Sequence, residues 1–297
     1  MKKLTSKFTM AAMVLALATG AQAQMLLNGA GASFPNPIYQ KWASEFAKVD
    51  PSVHVNYQSI GSGGGQRQIL AQTVDFGASD GPMSDENLAK APGKILHLPT
   101  VAGAVVIAYN LPENPKLKFD GATLAEIFMG KITKWNDAKI TALNPGVKLP
   151  DSDIVVVHRS DTSGTSYIFT DYLSSVSPQW EKEVGRNTSV KWPTGLGEKG
   201  NEGVAGQVKQ LPGAIGYVEL VYANQNKMSV ADVKNSTGNF ITPSVESVTQ
   251  ALATAKIPDD FRFSMVNPPG EKAYPISGAT WLLAYEQQKD AEKGKKL

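Results

Sequence analysis

The stretch Val157-His-Arg-Ser-Asp-Thr-Ser-Gly-Thr-Ser166 joins a β-branched run to a segment with helical periodicity. Residues Ile154–Val157 predict a strand, and the apolar pattern of Tyr167–Leu173 predicts a helix. Ser and Thr are favoured at helix N-termini, because their oxygens accept hydrogen bonds from free N–H groups of the first turn. A strand that leads directly into a capped helix is typical of α/β proteins.

The same stretch has the chemical features of a site for a small oxyanion. The first turn of a helix presents free N–H groups and the positive end of the helix dipole. Arg159 would add a planar set of donors that matches two oxygens of a tetrahedral anion. The alternative is an ordinary capped helix in which Arg159 pairs with Asp161, and this stretch alone does not choose between them.

Two further segments have the same design. Gly29–Pro35 precedes the apolar-periodic run Ile38–Phe46, with Ser33 where a helix cap is expected. Gly61–Gly65 precedes Gln66–Leu70, and glycines let backbone amides approach a ligand closely. A glycine-rich run alone is also compatible with a flexible strand-to-helix turn. Together, the three helix starts favour a site for a small oxyanion.

Short β-branched runs alternate with helical segments along the chain, which predicts an α/β fold with mainly parallel sheets. The strand candidates are Val53–Tyr57, Val105–Tyr109, Ile154–Val157 and Ile215–Val218. The helix candidates include Pro37–Lys48, Gln66–Gln72, Leu124–Met129, Tyr167–Ser174 and Val204–Gln210.

The first residues have the layout of a secretory signal peptide. Lys2, Lys3 and Lys7 precede an apolar core, Met10–Leu17, which is about half the ~20 residues that a spanning helix needs. The small-x-small pattern Ala21-Gln-Ala23 predicts cleavage after Ala23. We therefore expect residues 1–23 to be removed and the mature chain to be exported and soluble.

Composition limits the function classes. The chain has no cysteine, which excludes disulfides, zinc-thiolate sites, cysteine nucleophiles and a lipid anchor on cysteine. An exported protein without an anchor is expected in the periplasm of a Gram-negative cell, with full secretion as the alternative. Signal removal deletes three lysines and no acid, which takes the formal charge from +2 to −1. A nucleic-acid binder normally has a basic surplus, so this class is not expected.

Five motifs, in order along the chain, resemble the periplasmic phosphate-binding proteins of phosphate-specific ABC transporters. They are Gly29-Ala-Gly-Ala-Ser-Phe-Pro35, Ile60-Gly-Ser-Gly-Gly-Gly65, Asp75-Phe-Gly-Ala-Ser-Asp80, Arg159-Ser-Asp-Thr-Ser-Gly-Thr-Ser166 and Gly213-Ala-Ile-Gly-Tyr-Val-Glu219. The resemblance runs from about Leu27 to about Leu283. It implies a two-lobed periplasmic binding protein fold of type II with the ligand between the lobes. Lobe I would contain residues 24–110 and 262–297, and lobe II residues 111–261.

The resemblance also implies a set of phosphate-binding residues. These are Ser33, Phe34 (through its backbone amide), Ser62, Asp80, Arg159, Ser163, Gly164 and Thr165, with Asp161 orienting Arg159. The implied partners are inorganic phosphate and the inner-membrane permease subunits of the ABC transporter. We expect a monomer that needs no cofactor or metal and has no catalytic residue.

One departure from the family concerns the end of the chain. Family members usually continue past the strand Thr280–Tyr285 with further helices of the first lobe. Here the sequence stops at Leu297 after a lysine-rich tail, Lys289–Lys296. A fragment and a shortened lobe are both compatible with this pattern.

Asp80 is the candidate for distinguishing phosphate from sulfate or molybdate, the nearest alternative ligands. At neutral pH phosphate carries at least one P–OH hydrogen, whereas sulfate carries none. An ionised Asp80 can only accept hydrogen bonds, so it would accept a ligand hydrogen and repel a bare oxyanion. The alternative is a turn or helix-cap aspartate before Gly81-Pro82.

An enzyme is the remaining alternative. Gly77-Ala-Ser-Asp-Gly81 fits the nucleophile-elbow pattern of serine hydrolases, which requires a helix directly after it and a histidine later in the chain. Pro82 follows at once, and the later histidines are His97 and His158, the second of them next to an arginine. His54 and these two are isolated, so a metal-dependent phosphatase is not expected either.

Overall fold

A computed structural model describes residues 24–297, so the predicted signal peptide, residues 1–23, lies outside the described residues. In this part of the chain the strands are β1 (Met25–Gly31), β2 (Val53–Ser59), β3 (Phe76–Ser79), β4 (Ile95–Tyr109), β5 (Lys118–Phe119), β6 (Val155–Arg159), β7 (Leu196–Glu198), β8 (Ala214–Glu219), β9 (Ser229–Val230), β10 (Asp232–Lys234), β11 (Phe240–Ile241), β12 (Met265–Val266) and β13 (Ile276–Tyr285).

The helices of the same part are α1 (Asn36–Val49), α2 (Ser62–Leu70), α3 (Asp85–Leu88), α4 (Gly121–Phe128), α5 (Ala138–Leu143), α6 (Gly164–Val176), α7 (Pro178–Glu183), α8 (Gly200–Gln210), α9 (Leu220–Gln225), α10 (Val245–Ala253) and α11 (Ala291–Gly294). None of these helices combines the length and the apolar character that crossing a bilayer would require.

The main sheet has the strand order β2-β1-β3-β13-β4-β8-β6-β7. Its two flanks are parallel: β1 pairs with β2 and β3, and β6 pairs with β7 and β8. Its centre is antiparallel, because β13 runs opposite to β3 and β4, and β4 runs opposite to β8. The α/β prediction is confirmed, but the expected mainly parallel sheet is found only at the flanks.

Strand β4 connects the two halves of this sheet. Its residues from Ile95 to Ala104 pair with β13, and those from Val105 to Tyr109 pair with β8. We call β2-β1-β3-β13 with the first part of β4 the first half-sheet. The second part of β4 with β8-β6-β7 is the second half-sheet. One continuous strand of 15 residues thus runs from one half-sheet into the other.

The glycine run after β2 is helical, where a loop before the helix was predicted. Helix α2 begins at Ser62, and Gly61 before it has a φ of 83°. A Cβ on Gly65 would lie 2.6 Å from the carbonyl oxygens of Ala30 and Ala78. The glycines therefore let the first turn of α2 lie directly against β1 and β3, which a larger residue would prevent.

Aromatic side chains fill the core. Trp135, Trp180 and Trp281 are almost fully buried in the main cluster. A smaller cluster packs Tyr39 edge-on against Tyr57, with ring centroids 5.1 Å apart, under helix α1. Large rigid side chains of this kind bury much apolar area, so they hold the helices in fixed positions over the sheet.

Candidate functional site

The three predicted helix starts come together at one place. The N–H of Gly63, in the first turn of α2, donates to the carbonyl oxygen of Thr162 over 3.0 Å. Gly164, the first residue of α6, faces Ser62 and Asp80 so closely that a Cβ there would overlap both side chains. All eight residues of the predicted binding set are buried: Ser33, Phe34, Ser62, Asp80, Arg159, Ser163, Gly164 and Thr165.

Asp80 follows β3 and is the carboxylate of this cluster. Its Oδ1 accepts a hydrogen bond from Thr280 Oγ1 over 2.6 Å, and its Oδ2 lies 3.4 Å from Ser62 Oγ. Its backbone N–H donates to Ser62 Oγ over 3.1 Å. Burial raises the pKa of Asp80 to about 7, while the bond from Thr280 and the charge of Arg159 act to lower it. Asp80 is therefore buried, and its carboxylate accepts hydrogen bonds from distant parts of the chain. Its part in selecting the anion stays a prediction.

Arg159 ends β6 and is held by Asp161, as predicted. Its Nε donates to Oδ1 of Asp161 over 2.7 Å and its Nη2 to Oδ2 over 2.5 Å. Burial acts to raise the pKa of Asp161, but the bonds from Arg159 and the N–H of Gly200 hold it below its ordinary value. Nη1 of Arg159 remains for other partners and donates to Thr165 Oγ1 over 3.3 Å. The pair with Asp161 thus fixes the guanidinium in one orientation.

The N-terminus of α6 presents hydrogen-bond donors beside Ser62 and Asp80. Ser163 caps the helix, because its Oγ accepts the N–H of Ser166 over 3.0 Å. Within residues 24–297, the N–H groups of Gly164 and Thr165 make no hydrogen bond, and neither does that of Phe34. Buried N–H groups normally have partners, so unpaired ones at a helix start mark a place where an anion would be stabilised.

Phe34 is placed by its ring as well as by its backbone. The ring is buried against the backbone of β4, where a Cβ on Gly103 would lie 2.7 Å from its Cζ. Any larger residue at position 103 would therefore displace the ring. Because the ring is held in this way, the backbone of Phe34 has a fixed position in the segment that follows β1, next to Ser33 of the predicted set.

Ser33 does not cap α1, contrary to the prediction. The N-cap of α1 is Pro35, without a side-chain bond, and Ser33 Oγ instead lies 2.9 Å from Nδ2 of Asn201. The carbonyl oxygen of Ser33 accepts the hydroxyl of Tyr222 over 2.6 Å. These partners lie more than 160 positions away in the chain. Only folding brings them to Ser33, where the bond to Asn201 replaces the cap bond that the local sequence suggests.

Sequence reasoning missed two residues of this cluster, Asn201 and Thr280. Asn201 is the second residue of α8 and is fully buried. The sequence does contain a signal for it: Gly200-Asn201 lies where the short strand β7 leads into α8. This is another strand-to-helix turn that contains a glycine. Thr280 lies in the middle of β13, where nothing in the local sequence separates it from other strand residues.

The geometry around Ser79 differs from that of the nucleophile elbow in serine hydrolases. Ser79 Oγ donates to the carbonyl oxygen of Gly81, and the next helix, α3, begins only at Asp85. Nε2 of His97 accepts the N–H of Met83 over 3.1 Å, and burial lowers the pKa of His97 to about 4. Among residues 24–297, no group of three or more His, Cys, Asp or Glu side chains could hold a metal ion.

Solved structures resemble this fold over most of the chain. One is a putative phosphate ABC transporter substrate-binding protein from Clostridium perfringens with bound phosphate (TM-score 0.67, 18% identity, 91% of this chain and 90% of that one). Another is a high affinity periplasmic phosphate-binding protein, PfluDING (TM-score 0.72, 21% identity, 92% of this chain and 83% of that one). At these identities the likeness concerns the fold, which is the two-lobed α/β fold of periplasmic binding proteins.

Sequence comparison identifies closer relatives. Residues 17–297 match the model of the PBP superfamily domain. Phosphate-binding protein PstS of Haemophilus influenzae is 50% identical over 275 residues, which cover 91% of this chain and 81% of the relative. Phosphate-binding protein PstS of Methanocaldococcus jannaschii is 39% identical, over 89% of this chain and 73% of the relative. With matches of this extent, the chain belongs to the PBP superfamily and, within it, to the family of the phosphate-binding protein PstS.

Proposed function

We propose that this protein binds one inorganic phosphate in the periplasm and delivers it to the inner-membrane permease of a phosphate-specific ABC transporter. One observation carries the proposal: the buried carboxylate of Asp80 lies beside the donors of Arg159 and the α6 N-terminus. Phosphate offers both oxygens that accept and a hydroxyl that donates. The names of the relatives, phosphate-binding protein PstS, agree with this chemistry.

The proposed ligands are the predicted set. Ser33 and Ser62 would donate their hydroxyl hydrogens, and Phe34 its backbone N–H, from the first half-sheet. From the second half-sheet, Arg159 would contribute charge, and the α6 start would contribute the Ser163 hydroxyl and the region of Gly164 and Thr165. Asp80 would accept the P–OH hydrogen, which a sulfate or molybdate ligand does not offer. Its burial supports this role, because an acceptor-only carboxylate left facing a second bare anion in a desolvated site is strongly unfavourable.

The proposed organisation has two lobes that close over the anion. We assign residues 24–110 and 262–297 to lobe I and residues 111–261 to lobe II. The passage of β4 from one half-sheet to the other, and the return through β12 into β13, support this division. We further infer a monomer that is exported with cleavage after Ala23 and carries no lipid anchor. Mass spectrometry of the exported protein would test the last two points, since its first residue should be Gln24.

Calorimetric titration of the mature protein with phosphate, and separately with sulfate, tests the function. We expect one phosphate per chain and much weaker binding of sulfate. Comparable binding of both anions, or no binding of phosphate, would contradict the proposal.

We also infer that the protein is not an enzyme. A chromogenic phosphate ester should not be hydrolysed by wild type above the rate seen with Ser79→Ala. Turnover that persists through purification and is lost in Ser79→Ala would instead support a hydrolase.

A further inference from the structure

Asn201 connects the two sides of the candidate site. Its Nδ2 lies 2.9 Å from Ser33 Oγ, which follows β1, and 3.0 Å from Thr165 Oγ1, in the first turn of α6. Its backbone N–H also donates to Ser33 Oγ, over 3.3 Å. One fully buried side chain thus contacts a proposed ligand hydroxyl from each half of the molecule.

The orientation of the Asn201 amide follows from its other partner. The backbone N–H of Glu219 lies 2.8 Å from Oδ1 of Asn201. A backbone N–H can only donate, so the atom facing it must be the amide oxygen. The NH₂ group of Asn201 must then be the atom that faces Ser33 and Thr165, and it acts as a donor to both.

This arrangement determines where the two hydroxyl hydrogens can go. Ser33 Oγ accepts two N–H bonds, both from Asn201, which occupy its two lone pairs. Thr165 Oγ1 also accepts two, one from Asn201 and one from Nη1 of Arg159. Each hydroxyl therefore has only its hydrogen left for a ligand. Both can donate to an anion, and neither can accept from one.

We propose that Asn201 is a positioning residue that makes the Ser33 and Thr165 hydroxyls obligatory donors to the bound anion. The proposal rests on the proposed function and deepens it, because it divides the site into two chemically different ends. The end near Asn201 takes ligand oxygens that carry no hydrogen, whereas Asp80 takes the oxygen that carries one. Bound phosphate is thereby held with its P–OH toward Asp80.

The same bonds make Asn201 a link between the halves. Ser33 belongs to the segment after β1 of the first half-sheet, whereas Thr165 and Asn201 belong to α6 and α8, the helices that follow β6 and β7 of the second half-sheet. Asn201 can therefore bond to Ser33 only when the two sides are close to each other. In that state it orients the hydrogens of both hydroxyls toward the anion.

A double-mutant cycle tests the proposal with phosphate as the titrant. We expect Asn201→Ala to weaken phosphate binding by about 10-fold or more, since two neutral donor bonds to the anion lose their orientation. In a Ser33→Ala/Thr165→Val background, the same Asn201→Ala change should cost less than about 3-fold, because the hydroxyls through which it acts are gone. An equal loss in both backgrounds would overturn the proposal, because Asn201 would then act independently of the two hydroxyls.

A second variant covers the case in which Asn201→Ala does not fold. Asn201→Asp keeps the shape and the acceptor for the N–H of Glu219 but cannot donate. We expect it to bind phosphate at least as weakly as Asn201→Ala, and binding as tight as wild type would overturn the proposal. Failure of the wild-type protein itself to bind phosphate would contradict the proposed function instead, so the two outcomes are distinct.

Discussion

Thr280 Oγ1 lies 2.6 Å from Oδ1 of Asp80, although the two residues are 200 positions apart in the chain. Thr280 belongs to β13, which pairs antiparallel with β3. Asp80 is the residue directly after β3. The bond holds the carboxylate by one oxygen. Within residues 24–297, the other oxygen, Oδ2, has one hydrogen-bond partner, Ser62 Oγ, at 3.4 Å. We therefore expect Oδ2 to be the oxygen that accepts a ligand hydrogen.

The first prediction concerns selectivity. Asp80→Asn keeps the shape of the side chain but supplies an amide that can donate to either anion. We expect the affinity for phosphate to change little or fall modestly and the affinity for sulfate to rise. The ratio of the two affinities should therefore fall mainly because sulfate binds more tightly. Parallel calorimetric titrations with both anions measure this.

Asp80→Ala is the control for that prediction, because it removes the charge without adding a donor. It should not reproduce the gain in sulfate binding seen with Asp80→Asn. Unchanged discrimination in Asp80→Asn would mean that the selectivity arises elsewhere in the site.

The second prediction concerns the pH dependence of stability without phosphate. The carboxyl of Asp80 ionises near 3.8 when unfolded, whereas burial raises its folded pKa to about 7. Between these values the folded state keeps a proton that the unfolded state has released. The free energy of unfolding should therefore fall as the pH rises from about 4 to about 7, by up to roughly 4 kcal/mol from this group.

Urea unfolding across this pH range, in phosphate-free buffer, measures the effect. Asp80→Asn should lose this part of the slope. Glu219→Gln is the comparison, because burial raises the pKa of Glu219 from 4.5 to about 8, and its contribution should extend to that higher pH. An identical slope in wild type and Asp80→Asn would show that Asp80 does not hold a proton near neutrality.

The third prediction ranks two proposed ligands. Arg159→Ala should weaken phosphate binding more than Ser33→Ala, because bonds from a charged donor contribute about 1.5–3 kcal/mol and those from a neutral hydroxyl about 1 kcal/mol. Titration of both variants with phosphate measures the order. Arg186→Ala is the control, since its guanidinium is largely exposed and pairs with Asp171. A greater loss in Ser33→Ala would remove Arg159 from the ligand set.

The fourth prediction concerns the space at the start of α6. Gly164→Ala should sharply weaken phosphate binding, because its Cβ would overlap Ser62 and Asp80 and keep the two sides apart. Gly206→Ala is a matched control within helix α8, where a Cβ meets nothing within 4 Å. That change should leave binding unaltered and stabilise the protein by about 0.5–1 kcal/mol. Phosphate titration and thermal unfolding of both variants separate the effects, and wild-type affinity in Gly164→Ala would contradict the prediction.

The sequence by itself determined the features that depend on neighbouring residues. A Ser or Thr cap before this helix and the pairing of Arg159 with Asp161 depend on residues a few positions apart, so local chemistry predicts them; the structure shows Ser163 as the cap. The alternation of strands and helices predicted the α/β class for the same reason. The resemblance added the eight predicted phosphate-binding residues, and the structure shows that all eight are buried.

Only the tertiary structure decided the features that join distant parts of the chain. The cap expected at Ser33 was wrong because its hydroxyl bonds to Asn201, 168 positions away, and the antiparallel pairing of β4 with β13 has no local signal. A turn or helix-cap aspartate was the alternative for Asp80, and its burial and its bond from Thr280 come from the tertiary structure. Which group donates, which group accepts and which is buried depend on residues that only folding brings together. The sequence around each residue therefore cannot predict these features.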